Sequence, residues 1–428
     1  MTEDSTPQAS AADDAWWKKL GPGLITGAAD DDPSGIATYS QGGAQYGYDV
    51  AWTVLVTYPL MVGIQLASAR IGRITGKGLT ENFSRFCPRW SVLILVALLV
   101  VANVINLGAD INAMGDSAGM VLGGPKGAYA IGLGLLSLVL QVFLPYGRYV
   151  KVLKWLTLSL LAYVGVGFAA HVDWLAAARS TVMPKLHWEK DYATTIVAIL
   201  GTTISPYLFF WQAEQEVEDE KERPGAHSLT HAPWEAPAEF TRIRVDTYLG
   251  MALSNVIAFF IVVTTATTLH AHGLIDIQTS AQAAEALRGI AGPFTFVVFA
   301  AGVIGTGLLT LPVLAGSGAY AVGELFAWRV GLARLPSQAK AFYGVIAAAT
   351  AVGAGLNFTS IDPVKALYWS AVLNGVVAVP VMIVMMHLSM RTRIMSGFTL
   401  PPALRILGWL ATGVMAATVV AMGVAWFA

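Results

Sequence analysis

Residues 22–46 read PGLITGAADDDPSGIATYSQGGAQY, an apolar stretch long enough to cross a bilayer, interrupted by Asp30, Asp31, Asp32, Pro33, Ser34 and Gly35. A proline removes a backbone N–H and clashes with the preceding turn, so this helix is expected to unwind at its middle. A charged side chain near the bilayer centre costs roughly 2.5–3.5 kcal/mol on insertion scales, and it persists where it lines a cavity or meets a cation. Half a chain later the segment IVAILGTTISPYLFFWQAEQE (196–216) repeats the device, with Pro206 behind Thr202, Thr203 and Ser205. Unwound backbone inside a bilayer is tolerated only where protein buries it or water reaches it. Two broken spans, the first and the sixth, predict a repeat of five helices against five, the pattern of an inverted-repeat transporter with its substrate at the midplane.

Working outward, eleven apolar stretches are long enough to span, at roughly 22–46, 50–69, 91–122, 127–145, 152–171, 192–216, 245–269, 293–327, 341–356, 364–389 and 404–427. The composition agrees: 12% of the 428 residues are charged and mean hydropathy is +0.60, where soluble domains carry about 25% charged residues. With the N-terminus inside, 20 of the 26 Lys and Arg fall on the inner side and 6 on the outer, which supports the count of helices and predicts the C-terminus outside. The expected organisation is a cytoplasmic tail over 1–20 and a single transmembrane transporter domain over 21–428. Within it the first repeat covers about 21–171, the second about 190–390, and an eleventh helix about 404–427. The fold class is thus an all-α membrane protein, placed in a cytoplasmic (inner) membrane. The polar, acidic first 15 residues predict no signal peptide.

A net charge of −1 gives no reason to expect a nucleic-acid partner. The lone Cys87 excludes an internal disulfide and a Cys-based zinc site. No Ser-His-Asp arrangement, phosphate loop or zinc-protease motif is found, so no enzyme activity is expected. The loop from about Glu218 to Arg244, with His227 and His231, reads as solvated.

Asp32 lies beside carbonyls freed by the first break and faces a second break rich in hydroxyls. Oxygen donors of that kind suit a hard divalent cation, Mg²⁺ or Mn²⁺. The compatible structural alternative is that Asp32 caps the second half-helix, since Asp-Pro is a good pair for a helix start. Asp30 and Asp31 are expected in a water-filled vestibule. Asp246 and Asn255, nine positions apart, share roughly one helix face and are expected to bond to the unwound helices.

At these residues the chain resembles the Nramp family of divalent-metal transporters. GPGLITGAADDDPSGIATYSQ (21–41) is similar to the family's first helix, with its Asp-Pro-Gly-Asn signature, and GTTISPYLFFWQ (201–212) to its sixth, with Met-Pro-His. The resemblance runs through the eleven-helix layout and implies a LeuT-like fold without a cofactor. Its implied partners are the transported divalent cation and the bilayer, with no protein partner. Carried over by position, it implies metal contacts at Asp32, Ser34, Gly35, Thr202, Ser205 and Tyr207. Asn374, in LYWSAVLNGVVAVP (367–380), is the nearest substitute for a tenth-helix Gln.

The departures fall in the site. Ser205 stands where the family has a soft thioether and Gly35 where it has Asn, which leaves a roomier, sulfur-free site of the kind a partly hydrated Mg²⁺ favours. This is similar to the Nramp-related magnesium transporters, and Mn²⁺ is also compatible. Tyr207 replaces a His that the family uses for protons, and a phenol is a poor proton carrier at neutral pH. Asp31, Asp110, Asp116, Gln212 and Glu214 are candidates for a pathway or proton relay. The alternative for Asp110 is a structural bond to Asn103, Asn106 or Asn112, and for Gln212 and Glu214 a polar helix end. Two competing functions are a same-fold transporter of a small organic solute, which Asp32 would hinder by repelling anions, and a non-transporting membrane sensor.

Overall fold

The computed structural model describes residues 21–144, 160–170, 172–223, 225–359 and 362–427. Its helices are α1 (Pro22–Asp30), α2 (Pro33–Tyr46), α3 (Trp52–Thr75), α4 (Leu79–Phe86), α5 (Arg89–Leu122), α6 (Lys126–Phe143), α7 (Leu161–Ala169), α8 (Trp174–Val182), α9 (Lys190–Thr203), α10 (Pro206–Glu222), α11 (Ala236–Thr268), α12 (Ser280–Glu285), α13 (Arg288–Ala291), α14 (Thr295–Leu325), α15 (Lys340–Gly355), α16 (Pro363–Ser389) and α17 (Pro402–Phe427). Among the described residues nine helical segments are long and apolar enough to cross a membrane, with α9 and α10 together forming one of them. The broken pair α1–α2 corresponds to the first expected span, and neither half is long enough to cross alone. Of the fifth span, 152–171, only 160–170 is described and the remainder lies outside the described residues. The chain is an integral, multi-pass, all-helical membrane protein.

The broken helices sit in the middle. α1 packs on α11, α2 on α11 and α16, α9 on α16, and α10 on α3 and α14, while α5 lies against α14 and α16. Helix α5 shows why this arrangement forms. Ile94, Leu98, Val101 and Ile105 make one exposed stripe at helical spacing, and Asn103, Asn106 and Asp110 make a buried polar one. In lipid the apolar face turns outward, so the polar stripe is delivered to the centre.

Small residues let the central helices approach closely, because helix association in lipid rests on packing and interhelical hydrogen bonds rather than on hydrophobic exclusion. A Cβ on Gly27 would lie 2.3 Å from the Gly250 carbonyl oxygen, and one on Gly250 would lie 2.3 Å from that of Gly23. Across the α9–α16 contact a Cβ on Gly201 would lie 2.1 Å from the Ala371 oxygen.

The loop after α10, expected to be solvated, instead closes over an arginine. Arg73, 1% exposed, pairs with Glu220 at 3.3 Å, Glu235 at 2.8 Å and Glu239 at 3.1 Å, and donates to the His227 carbonyl at 2.7 Å. A buried guanidinium needs such partners, since removing one side of a buried pair costs roughly 3–5 kcal/mol. Charge counting alone could not show that the acidic run was bound to an arginine on a distant helix.

Gly27→Ala is expected to destabilise the protein by about 1–3 kcal/mol, because the obstacle is backbone and cannot yield. Gly344→Ala, whose Cβ meets nothing within 4 Å, is expected to leave the thermal midpoint of the purified protein unchanged or slightly raised. Equal midpoints for both variants would show that the α1–α11 contact is looser than described.

Candidate functional site

Both breaks are short and built alike. After α1, Asp31 (φ −82°, ψ 45°) and Asp32 (φ −70°, ψ 170°) leave helical geometry, and Pro33 restarts it as α2. After α9, Ile204 (φ −111°, ψ 60°) and Ser205 (φ −83°, ψ 138°) do the same, and Pro206 opens α10. A proline at the first helical position loses nothing, because that N–H would be unpaired in any case.

The two oxygens of Asp32 have different neighbours. Oδ1 accepts the Gly35 N–H at 2.6 Å, which caps α2. Oδ2 turns to the second break and accepts from the Tyr207 hydroxyl at 3.2 Å and from Asn106 Nδ2 at 3.2 Å. Capping therefore occupies one oxygen and leaves the other directed at neighbouring polar groups. Asp32 is 1% exposed.

The other expected site residues are all buried and gather unevenly around this oxygen. Tyr207 is in direct contact, and Gly35 meets Asp32 through its N–H. Ser34 Oγ turns toward α16, donating to the Leu367 carbonyl at 3.0 Å and lying 3.3 Å from Ser370 Oγ. Ser205 Oγ lies 2.6 Å from the Gly201 carbonyl and 2.9 Å from that of Thr202, so it satisfies the end of α9. Asn374 is buried on α16, one helical turn beyond Ser370, and neither of its side-chain polar atoms has a hydrogen-bond partner among the described residues.

The relay candidates separate. Asp110 Oδ2 lies 3.5 Å from Asn106 Nδ2, and its Oδ1 has no hydrogen-bond partner among the described residues. Asp31 Oδ1 and Asp30 Oδ2 converge on the Ser254 hydroxyl at 3.1 and 2.5 Å. Gln212 Oε1 accepts from Thr26 Oγ1 at 2.6 Å, joining α1 to α10. Glu214 reaches over Gly78 beside Glu324, whose carboxylate accepts the Gly78 N–H at 2.9 Å. Asp116 lies apart from the centre and pairs with Lys126 at the start of α6.

Asn106 and Ser370 are the contacts that sequence reading did not place at the site. The Ser370 hydroxyl lies 2.6 Å from Asn106 Oδ1, which links α16 through α5 to Asp32. The signal for Asn106 was the polar spacing Asn103, Asn106, Asp110 on one face of α5. Met114 also lays its thioether against Gly307 beside Pro33, so sulfur is near the first break although position 205 has none. Among the described residues no three His, Cys, Asp or Glu side chains converge as a metal-binding group. The centre is one directed carboxylate oxygen among hydroxyl and amide groups.

Asp246 bonds, as expected, to the first unwound helix, at the start of α1. Its Oδ1 accepts from Gly21 and Leu24 N–H at 3.0 and 3.1 Å, and its Oδ2 from Gly23 N–H at 2.6 Å. Asn255 accepts instead from Thr57 of α3 at 3.1 Å. Nine residues of helix rise about 13 Å, so the two side chains meet different neighbours. Within α2, Gln41 accepts the Ile277 N–H at 2.9 Å and donates to the Ile275 carbonyl at 3.2 Å.

A family model described as natural resistance-associated macrophage protein-like (Nramp) matches residues 23–425. The chain is 24% identical over 407 residues to the divalent metal cation transporter MntH of Caldanaerobacter subterraneus subsp. tengcongensis, covering 91% of this chain and 89% of that one. In three dimensions it is similar to the Eremococcus coleocola manganese transporter in complex with an aromatic bis-isothiourea substituted compound, with TM-score 0.72, 15% identity, and 96% and 87% of the two chains covered. Mhp1, a nucleobase-cation-symport-1 family transporter in a closed conformation, is also similar, with TM-score 0.55, 15% identity, and 95% and 92% covered. The fold is the LeuT-like one, with its first and sixth helices unwound.

The divided carboxylate makes a stability prediction. Asp32→Ala removes the cap on α2 and is expected to cost about 1 kcal/mol, whereas Asp32→Asn keeps a capping oxygen and is expected to cost no more than a few tenths. Thermal unfolding of the three proteins checks this, and equal losses for both variants would count against the cap.

Proposed function

The chain belongs to the natural resistance-associated macrophage protein-like (Nramp) family, and on that premise we propose that it moves divalent metal cations, Mg²⁺ or Mn²⁺, across the membrane by alternating access. The observation that carries the reading is Asp32 Oδ2, a buried carboxylate oxygen turned from its own helix cap toward the second break. A carboxylate deep in a bilayer calls for a positive partner, and the groups around it are hard oxygen donors once their N–H and O–H groups turn away. The relative named above as a divalent metal cation transporter supports the same substrate class.

Asp32 is the main ligand in this reading, assisted by Tyr207, by Ser205, by carbonyls near Thr202 and Ser34, and by retained waters; Gly35 leaves room for them and Asn374 approaches from α16. A single carboxylate with neutral neighbours suits Mg²⁺, which sheds its water reluctantly. Mn²⁺ is also served by carboxylate, carbonyl and water oxygens, so it stays within the chemistry of the site. Asp31 and Asp110 are the nearest groups for any coupled proton, and Gln212 and Glu214 line the path away from the centre. The N-terminal tail over 1–20 faces the cytoplasm, the repeats cover about 21–171 and 190–390, and α17 stands outside them.

Uptake into proteoliposomes under equal gradients of Mg²⁺ and Mn²⁺ tests this. At least one ion is expected to enter, and Asp32→Ala is expected to abolish that entry. If neither ion moves into vesicles holding folded protein, transport of an organic solute or sensing replaces the metal reading.

A further inference from the structure

We infer that Asn106 of α5 contributes its side-chain amide oxygen to the cation held at Asp32, turning over about its Cβ–Cγ bond as the cation arrives. This rests on the transport reading above and adds to it a ligand from a third helix.

The geometry around the amide carries the inference. Asn106 is fully buried, with Nδ2 3.2 Å from Asp32 Oδ2 and 3.5 Å from Asp110 Oδ2. Two oxygens held at right angles on an octahedral Mg²⁺, each about 2.1 Å from the ion, stand about 3 Å apart. The space between the amide and Asp32 therefore has the width of one edge of such a shell. An N–H donor on that edge opposes a cation, but an amide presents nitrogen and oxygen in nearly the same shape, so a half-turn replaces the donor by an acceptor.

Such a turn ordinarily leaves a buried atom unpaired, and Ser370 prevents that. Its hydroxyl lies 2.6 Å from Asn106 Oδ1 and also 2.7 Å from the Leu367 carbonyl. A hydroxyl both donates and accepts. With the amide turned, Ser370 gives its proton to Leu367 and accepts from Nδ2, so the hydrogen bond between the two side chains is kept. The turned oxygen would face Asp32 Oδ2 and Asp110 Oδ2 together, an arrangement of three oxygens that only a positive charge between them favours. Asp110 Oδ1, without a hydrogen-bonding side chain or backbone group of its own among the described residues, is a further buried acceptor on the carboxylate beside Asn106. Occupancy and amide orientation are thereby tied.

Mn²⁺ binding to the purified full-length protein, followed by calorimetry, tests the inference with N106L and N106D. N106L keeps the shape without an oxygen and is expected to weaken Mn²⁺ binding about tenfold or more. N106D keeps an oxygen but loses the donor, and is expected to bind at least as tightly as the unaltered protein. Unchanged affinity in N106L, with binding lost in D32A, overturns the inference alone. Weakened binding in N106D also overturns it, because the amide would then matter as a donor; N106D decides the matter if N106L does not fold. No Mg²⁺ or Mn²⁺ binding by the unaltered protein removes the transport reading and this inference with it.

Discussion

A backbone that stops being helical inside a bilayer must find partners for the groups it frees, because lipid offers none. The rest of this structure follows from meeting that demand twice. At the first break, Asp32 Oδ1 takes the Gly35 N–H and Thr310 of α14 donates to the Ala29 carbonyl at 3.1 Å. At the second, the Ser205 hydroxyl serves the freed carbonyls of Gly201 and Thr202, and Thr203 meets Tyr39 of α2 at 2.7 Å. The breaks thus serve each other and draw in α14. Polar side chains that would be costly against lipid are gathered where these breaks need them, and a polar centre within an apolar bundle results.

Much of this was legible in the sequence because the informative signals were local. Span length gave the helices, proline placed both breaks, and the Asp-Pro pair gave the cap at Asp32. What escaped was which helix faces which. Spacing shows that Asn103, Asn106 and Asp110 share a face, but only packing shows that Asn106 meets Asp32 and Ser370. The same limit explains Asp246, whose bonding to an unwound helix was anticipated from face alone and whose partners are the N–H groups opening α1. It explains Asp116 as well, whose partner Lys126 opens the next helix, α6.

Substitutions in the site and the geometry around it bear on each other. Gly35 has no side chain, and a Cβ there would stand 3.1 Å from the Asp30 carbonyl and 3.4 Å from Asp32 Oδ1. The close capping turn therefore favours a small residue at 35, while a side-chain amide approaches Asp32 from α5. Polar groups near Asp32 are supplied across helices as well as along one, so a motif read along one helix understates them.

The attachment of α1 also sets an energy scale for motion. This half-helix is nine residues long, and its first turn is held by one carboxylate, that of Asp246. Hydrogen bonds to a charged group contribute roughly 1.5–3 kcal/mol each, and bonds to water offset part of that when the helix lets go. Moving a population between states from 1:99 to 99:1 takes about 5.5 kcal/mol of differential binding. Three such bonds make the tether comparable to that figure, so a change of shape that kept the start of α1 on Asp246 would need far less driving force than one that detached it.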